Sequence, residues 1–296
     1  EKHRTLCSFI EKTLPGYSVT RLVELPALAK ELGVKDIFVK DEASRFGLNS
    51  FKGLGGSYCL FHLLSEKYGW SGKVESFAQL KDQIASLEEK PKIISATDGN
   101  HGRGLAWICH LLGLRCEILM PAGSSEERQE NIRKLGADCR RTDGNYDETV
   151  HEAERFALEN DWLLVQDTAL PGFEKVARFI MHGYLTMALE TVEQLKGKCP
   201  THIFLQAGVG SMAGAMCGFF ASLYGPDVPV ISIVEPKTAD CVYRTAEKDD
   251  GKLHNAPGSL ETIMAGLSCG EPCSVGWKEI RAAASHYFRI EESVAA

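Results

Sequence analysis

Ser50-Phe51-Lys52-Gly53-Leu54-Gly55-Gly56 sets a lysine at a passage from strand to helix. Upstream, Asp36-Ile37-Phe38-Val39-Lys40 is a short apolar run that predicts a strand and turns polar at Asp41-Glu42. Downstream, Leu54, Tyr58 and Phe61 recur at helical spacing. The small residues let a backbone or a ligand approach closely. A lysine so placed can be desolvated. Desolvation favours the neutral amine, which attacks carbonyls to form Schiff bases. Taken alone, Lys52 is more often a solvated surface side chain, so the rest of the chain must decide.

Outward from that stretch, strands are expected at 92–96, 116–120, 162–165, 201–205 and 228–234. Helices are expected over 103–112, from Ser124-Ser125-Glu126-Glu127 to Leu135-Gly136, and over 150–158, 174–195 and 212–223. Residues 70–92 read as a polar, exposed insertion with a helix at 77–89. Residues 1–35 read as helices and connections broken at Pro15-Gly16 and Leu25-Pro26. Residues 287–290 resemble a strand, and 291–296 a helix just beginning. The chain opens without Met and stops inside that helix, so further sequence is expected beyond both ends. Short Ile- and Val-rich strands alternating with helices predict an α/β chain with parallel sheets covered on both faces.

At 296 residues the chain has room for two domains. A hydrophobic share of 44% and a charged share of 25% fit an ordinary soluble globular protein. The net charge of −7 argues against a nucleic-acid partner, although acidity also serves solubility. No apolar run approaches the ~20 residues of a membrane span, and no signal peptide opens the chain. These features predict a cytoplasmic protein without a membrane partner. The ten cysteines are scattered and read as small buried hydrophobes in a reducing compartment. Cys269-Gly270-Glu271-Pro272-Cys273 lacks the second pair that a zinc site needs, so no metal is expected. Cys241 and Cys269 fall in loop-like segments, and a disulfide between them is left open.

Three loops follow strands, where ligands bind in open parallel sheets. Gly208-Val209-Gly210-Ser211 lets backbone N–H groups converge on an anion at a helix N-terminus, and Ser211 adds a hydroxyl. A tight packing turn is the plainer reading. A dinucleotide site is a rival, with Gly208, Gly210 and Gly214 as a near fingerprint and Glu235 near the position of a ribose-binding carboxylate. The last glycine comes one residue late for that fingerprint. Thr97-Asp98-Gly99-Asn100-His101-Gly102 gathers hydroxyl, carboxylate, amide and imidazole groups able to wrap a small polar molecule and its carboxylate. Singly, Asn100 is more often a turn residue and His101 a structural one. Gln166-Asp167-Thr168 ends a strand, where Asp167 reads equally as a helix cap.

Ser50-Phe51-Lys52, Asp98-Gly99-Asn100-His101-Gly102 and Gly208-Val209-Gly210-Ser211, in this order, make the chain similar to the fold-type II pyridoxal-phosphate enzymes. Arg45 to Lys52, Thr97 to Gly104, Gln166 to Thr168, Phe204 to Ser211 and Thr262 to Leu267 resemble the diaminopropionate ammonia-lyases among them. The resemblance covers nearly the whole chain. It implies two doubly wound open parallel sheets. A larger domain takes residues 1–50 and 185–296, and a smaller one takes 51–184. It implies pyridoxal phosphate in a Schiff base with Lys52 beside Phe51, with Asn100 on the ring hydroxyl and Gly208, Val209, Gly210 and Ser211 on the phosphate. The segment that contacts the pyridine nitrogen in the family falls beyond residue 296. A homodimer is implied as well.

The implied reaction turns 2,3-diaminopropionate of either stereochemistry into pyruvate and ammonia. Lys52 serves as base at the α-carbon. Thr97, Asp98, Asn100, His101, Asp167 and Thr168 form the implied substrate site. Asp98 and Asp167 are expected to attract the ammonium that leaves, and Asp98 to act as base for the enantiomer whose proton faces away from Lys52. The dehydratases usually carry a neutral residue where this chain has Asp98. A serine or threonine dehydratase, a non-catalytic binding protein of the same fold and a nicotinamide dehydrogenase stay open as alternatives.

Overall fold

A computed structural model describes residues 12–97, 99–169 and 172–296. β1 (Arg21–Glu24) and β2 (Phe38–Asp41) pair antiparallel around α1 (Pro26–Leu32), which stops at Gly33 with φ 67°. The strand at β1 corrects the expectation of helices and connections alone over 1–35. Four residues are too few for a helical or strand period to declare itself, and their pairing with β2 decides the matter. Residues 1–11 of that segment lie outside the described residues.

The next elements are α2 (Lys52–Lys67), α3 (Phe77–Ala85), β3 (Lys92–Ala96), α4 (Asn100–Leu112), β4 (Arg115–Met120), α5 (Glu126–Arg133), β5 (Asp138–Arg141), α6 (Tyr146–Asn160) and β6 (Leu163–Leu164). Their strands form one parallel sheet in the order β5-β4-β3-β6. β5 was not foreseen, because Asp-Cys-Arg-Arg has one apolar residue. Charged side chains suit it to the sheet edge it occupies. Alternation along β3 and β4 sends Ile93 and Ile118 into the main core. Ile94 and Leu119 point to the other face and meet Val150, Ala153 and Ala157 of α6. Each such side chain, once buried, contributes about 1.5–3 kcal/mol.

After α7 (Glu174–Leu195) come β7 (His202–Gln206), α8 (Ser211–Tyr224), β8 (Val230–Pro236), α9 (Cys241–Lys248), α10 (Ser274–Ala283), β9 (Ala284–Ile290) and α11 (Glu292–Ala295). A second parallel sheet runs β7-β8-β9. Its open side leaves Phe204 66% exposed. α9 and α10 were not foreseen. Cys241 starts α9 rather than lying in a loop, and Cys241 and Cys269 are both free thiols, so no disulfide joins them. Among the described residues no helix is long and apolar enough to cross a membrane.

α7 packs against α2 on one side and α8 on the other. Glycine permits this closeness. A Cβ at Gly183 would lie 2.5 Å from the Leu54 carbonyl oxygen, and one at Gly104 would lie 2.8 Å from the Gly53 nitrogen. α2 is thus pressed between α4 and α7, with Lys52 at its first turn.

A buried ion cluster ties the first hairpin to α7. Arg45 is fully buried and donates to both Glu190 oxygens at 2.8 and 2.7 Å and to Glu42 at 2.8 Å. Lys40 Nζ donates to Glu190 Oε2 at 2.6 Å. Burial pushes the Glu190 carboxyl up, and Arg45 and Lys40 outweigh burial and hold it low. The turn that leads from this cluster to Lys52 passes through Asn49 at φ 53°, a conformation Asn tolerates better than most residues.

Candidate active site

Lys52 enters the site from the first residue of α2, where its N–H donates to Ser50 Oγ at 3.2 Å. Asp167 follows β6, and its Oδ2 accepts from Lys52 Nζ at 2.6 Å. Burial alone would lower the Lys52 pKa, but the Asp167 carboxylate outweighs it and holds the amine protonated above its ordinary range. Burial would likewise raise Asp167, but the Lys52 ammonium outweighs it and pulls the carboxyl down to about 2. Without a further ligand the pair is an ammonium–carboxylate bridge.

Gln166 fixes the strand end that carries Asp167. Its Nε2 donates to the Ala96 oxygen at 2.8 Å and its Oε1 accepts from the Ala96 nitrogen at 2.9 Å, joining the ends of β3 and β6. Tyr146 Oη accepts from Gln166 Nε2 at 3.2 Å and reaches Asp167 Oδ1 at 3.4 Å. Thr168 is buried beside Asp167 but does not line the cleft.

Thr97, Asn100 and His101 line the same cleft as Phe51, Lys52 and Asp167. Thr97 Oγ1 accepts from the Gly99 nitrogen at 3.1 Å and tightens the loop. Asn100 and His101 lie in the first turn of α4, which begins three residues earlier than the expected start at Arg103. His101 Nε2 meets the Val165 carbonyl oxygen at 2.8 Å, so that nitrogen carries the proton and Nδ1 is a bare acceptor without a hydrogen bond. Burial lowers its pKa and keeps the ring neutral. Asp98 lies outside the described residues.

The opposite wall is Gly208-Val209-Gly210-Ser211, between β7 and α8. Gly210 sits at φ 93°, and a Cβ on Gly208 would come 3.1 Å from Cys269 Sγ. Gly208 and Gly210 bring no side chain to this wall, which ends at the N-terminus of α8 and so offers backbone to an anion. Ser211 Oγ donates to the Asp167 carbonyl oxygen at 2.6 Å. Its hydroxyl therefore couples the two loops, which leaves anion binding to the backbone.

The dinucleotide rival fails on geometry. Glu235 is fully buried and accepts from the Val242 and Tyr243 nitrogens at 2.9 and 2.6 Å, capping α9. It offers nothing to a ribose. A Cβ on Gly214 would lie 2.6 Å from the Gly276 oxygen, so that glycine serves the contact of α8 with α10.

The cleft of about 210 Å³ has room for a small molecule rather than a polymer. It joins a largely buried amine, an anion cradle and an amide, Asn100, near Gly266. That donor set fits pyridoxal phosphate, with its aldehyde, phosphate and ring hydroxyl. Sequence reasoning assigned no role to Tyr146, or to the wall at Gly266, Leu267 and Cys269. The capping box of Asn145 with Glu148 was the available signal that α6 starts at Tyr146 and not at Val150.

A family model described as pyridoxal-phosphate dependent enzyme matches residues 13–296. The chain is 46% identical over 291 residues to the diaminopropionate ammonia-lyase of Salmonella typhimurium, covering 96% of this chain and 72% of that one. The holo diaminopropionate ammonia lyase of Escherichia coli superposes with a TM-score of 0.92 at 45% identity, covering all of this chain and 73% of that chain. The same Escherichia coli enzyme in complex with an aminoacrylate–PLP azomethine reaction intermediate superposes with a TM-score of 0.88 at 43% identity, covering all of this chain and 73% of that chain.

Proposed function

The chain belongs to the diaminopropionate ammonia-lyase family of pyridoxal-phosphate dependent enzymes, and from that premise we infer that it converts 2,3-diaminopropionate to pyruvate and ammonia with the cofactor linked to Lys52. The observation that carries the assignment of residues is the convergence of Lys52, Asp167 and the Gly208–Ser211 cradle on one cleft.

When bound there, pyridoxal phosphate supplies an electron sink at the substrate α-carbon. The backbone N–H groups of Gly208, Val209 and Gly210 would hold its phosphate, and the Asn100 amide would take its ring hydroxyl. Phe51 packs beside the lysine, its ring centroid 5.6 Å from Nζ. Displaced from the cofactor by the substrate amine, Lys52 is released as a neutral amine, and its Nζ would then take the α-proton of the substrate. Thr97 and the first turn of α4 receive the substrate carboxylate. The neutral His101 contributes its bare Nδ1.

Asp167 faces the β-ammonium. This group distinguishes 2,3-diaminopropionate from serine or threonine, whose leaving hydroxyl is neutral. Once Lys52 no longer occupies it, the Asp167 carboxylate is the group among the described residues of the cleft that can pair with the cation. Asp98 is assigned to the same task, and to proton removal from the enantiomer that presents its proton away from Lys52. The division into 1–50 with 185–296 and 51–184, a homodimer and a cytoplasmic location belong to this reading too. The separate four- and three-stranded sheets support that division.

The test is a coupled assay on the purified, cofactor-loaded chain. Pyruvate and ammonia are expected from 2,3-diaminopropionate at a kcat/KM at least ~10-fold above that for serine. Faster turnover of serine or threonine would move the assignment to a dehydratase.

A further inference from the structure

Tyr184 is fully buried on α7, directly below Lys52. Its ring stands edge-on to Phe51, with centroids 5.1 Å apart and an interplanar angle of 83°. Lys52 Nζ lies 5.7 Å from its ring centroid. The fold makes room for the ring at some cost in sequence freedom. A Cβ on Gly55 would approach the Tyr184 ring to 2.6 Å, so only glycine at 55 admits it. A phenylalanine would fill the same space. Yet this side chain carries a hydroxyl, and Tyr184 Oη forms no well-made hydrogen bond, although Lys52 lies close enough to act on it as a side-chain donor. A buried hydroxyl left unpaired is costly, which asks for a partner that comes and goes. The charged groups acting most on it are Lys52 and Asp167.

Asp167 cannot hold Lys52 continuously and also face the substrate ammonium. Lys52 must leave the bridge to become linked to the cofactor. It must also rest somewhere when the substrate displaces it. The geometry points to Tyr184 as a positioning residue whose hydroxyl is the second station of the Lys52 amine, occupied when Asp167 is engaged by the substrate. A hydroxyl can serve the amine in either protonation state. It donates to the lone pair of the neutral amine and accepts from the ammonium. No proton changes hands between them. The exchange moves one Lys52 hydrogen bond from Asp167 Oδ2 to Tyr184 Oη. Burial pushes the phenol up, so the hydroxyl stays neutral and does not replace the Asp167 carboxylate as a competing charge. This rests on the reading of Lys52 as the cofactor-bearing residue.

The full chain is stripped of cofactor, and capture of pyridoxal phosphate is followed by the absorbance of the lysine-linked form. Tyr184→Phe keeps the ring, the contact with Phe51 and the fit against Gly55. With Asp167 as its only station, Lys52 is expected to capture the cofactor about tenfold more slowly. In the loaded enzyme kcat is expected to fall about tenfold with little change in KM. Thermal unfolding of Tyr184→Phe should come no earlier than in the wild type, because the deleted hydroxyl made no well-formed hydrogen bond. In an Asp167→Asn background, which leaves Tyr184 as the remaining station, the effect of Tyr184→Phe on capture should be larger than in the wild type. Capture and kcat at wild-type levels in Tyr184→Phe would overturn the inference and leave the lyase reading standing. A wild-type chain that never captures the cofactor would overturn the lyase reading itself.

Discussion

Lys52 Nζ and Asp167 Oδ2 stand 2.6 Å apart although 115 residues separate them in sequence. The pair joins the first turn of α2 to the end of β6, and Ser211 Oγ then ties Asp167 to the glycine loop at 2.6 Å. Asp167 therefore registers the lysine through its carboxylate and the glycine loop through its main-chain carbonyl.

Replacing Asp167 by Asn should destabilise the cofactor-free chain by about 3 kcal/mol at neutral pH, since it leaves a largely buried ammonium without its counter-charge. Urea denaturation measures this. The pH dependence has a definite sign. Asp167 titrates near 2 in the fold against 3.8 ordinarily. A carboxyl depressed in this way stabilises the fold above its unfolded pKa and loses that contribution as pH falls from about 4 to about 2. The wild type should lose roughly 2 kcal/mol across this window through Asp167 alone. Asp167→Asn should show a correspondingly flatter profile.

Gly276→Ala should weaken cofactor binding from outside the cleft. Its Cβ would sit 2.7 Å from the Gly210 oxygen and 3.2 Å from the Ser211 nitrogen. Relief requires moving the glycine loop, at about 1–3 kcal/mol. Fluorescence titration with pyridoxal phosphate should show a loss in affinity of roughly tenfold or more. Unchanged affinity would mean that this loop does not hold the phosphate.

Glu190→Gln should cost about 3 kcal/mol in global stability while leaving the cofactor spectrum of the folded protein intact. Arg45 and Lys40 both use this carboxylate, and each is left in a low-dielectric site with less negative charge beside it. Burial already lowers the Lys40 pKa against the pull of Glu190, so the substitution should lower it further. Chemical denaturation of the two proteins checks the cost.

The parallel sheets and the three strand-end loops were legible because their signals are local. Ile93-Ile94 and Val230-Ile231 declare buried strands, and Gly208 with Gly210 declares a backbone cradle. β5 was not legible, because a charged edge strand is defined by its neighbour and not by its own residues. The capping role of Glu235 was hidden for the same reason. Its partners are the nitrogens of a helix that sequence reasoning had not placed. Tyr184 gives no local sign at all. Its importance arises where α7 crosses α2, through a glycine on one helix and a hydroxyl without a well-made hydrogen bond on the other. The roles of Asp167 and His101 were expected from resemblance. The structure adds that Asp167 holds Lys52 and that His101 presents a bare Nδ1.

The most direct test of the account is to locate the cofactor. The chain is loaded with pyridoxal phosphate, reduced with borohydride to fix the linkage, digested, and mapped by mass spectrometry. The account predicts a phosphopyridoxyl group on the peptide that contains Lys52, and none on any peptide of Lys52→Ala. A group found on another lysine, or equal labelling in Lys52→Ala, would contradict it.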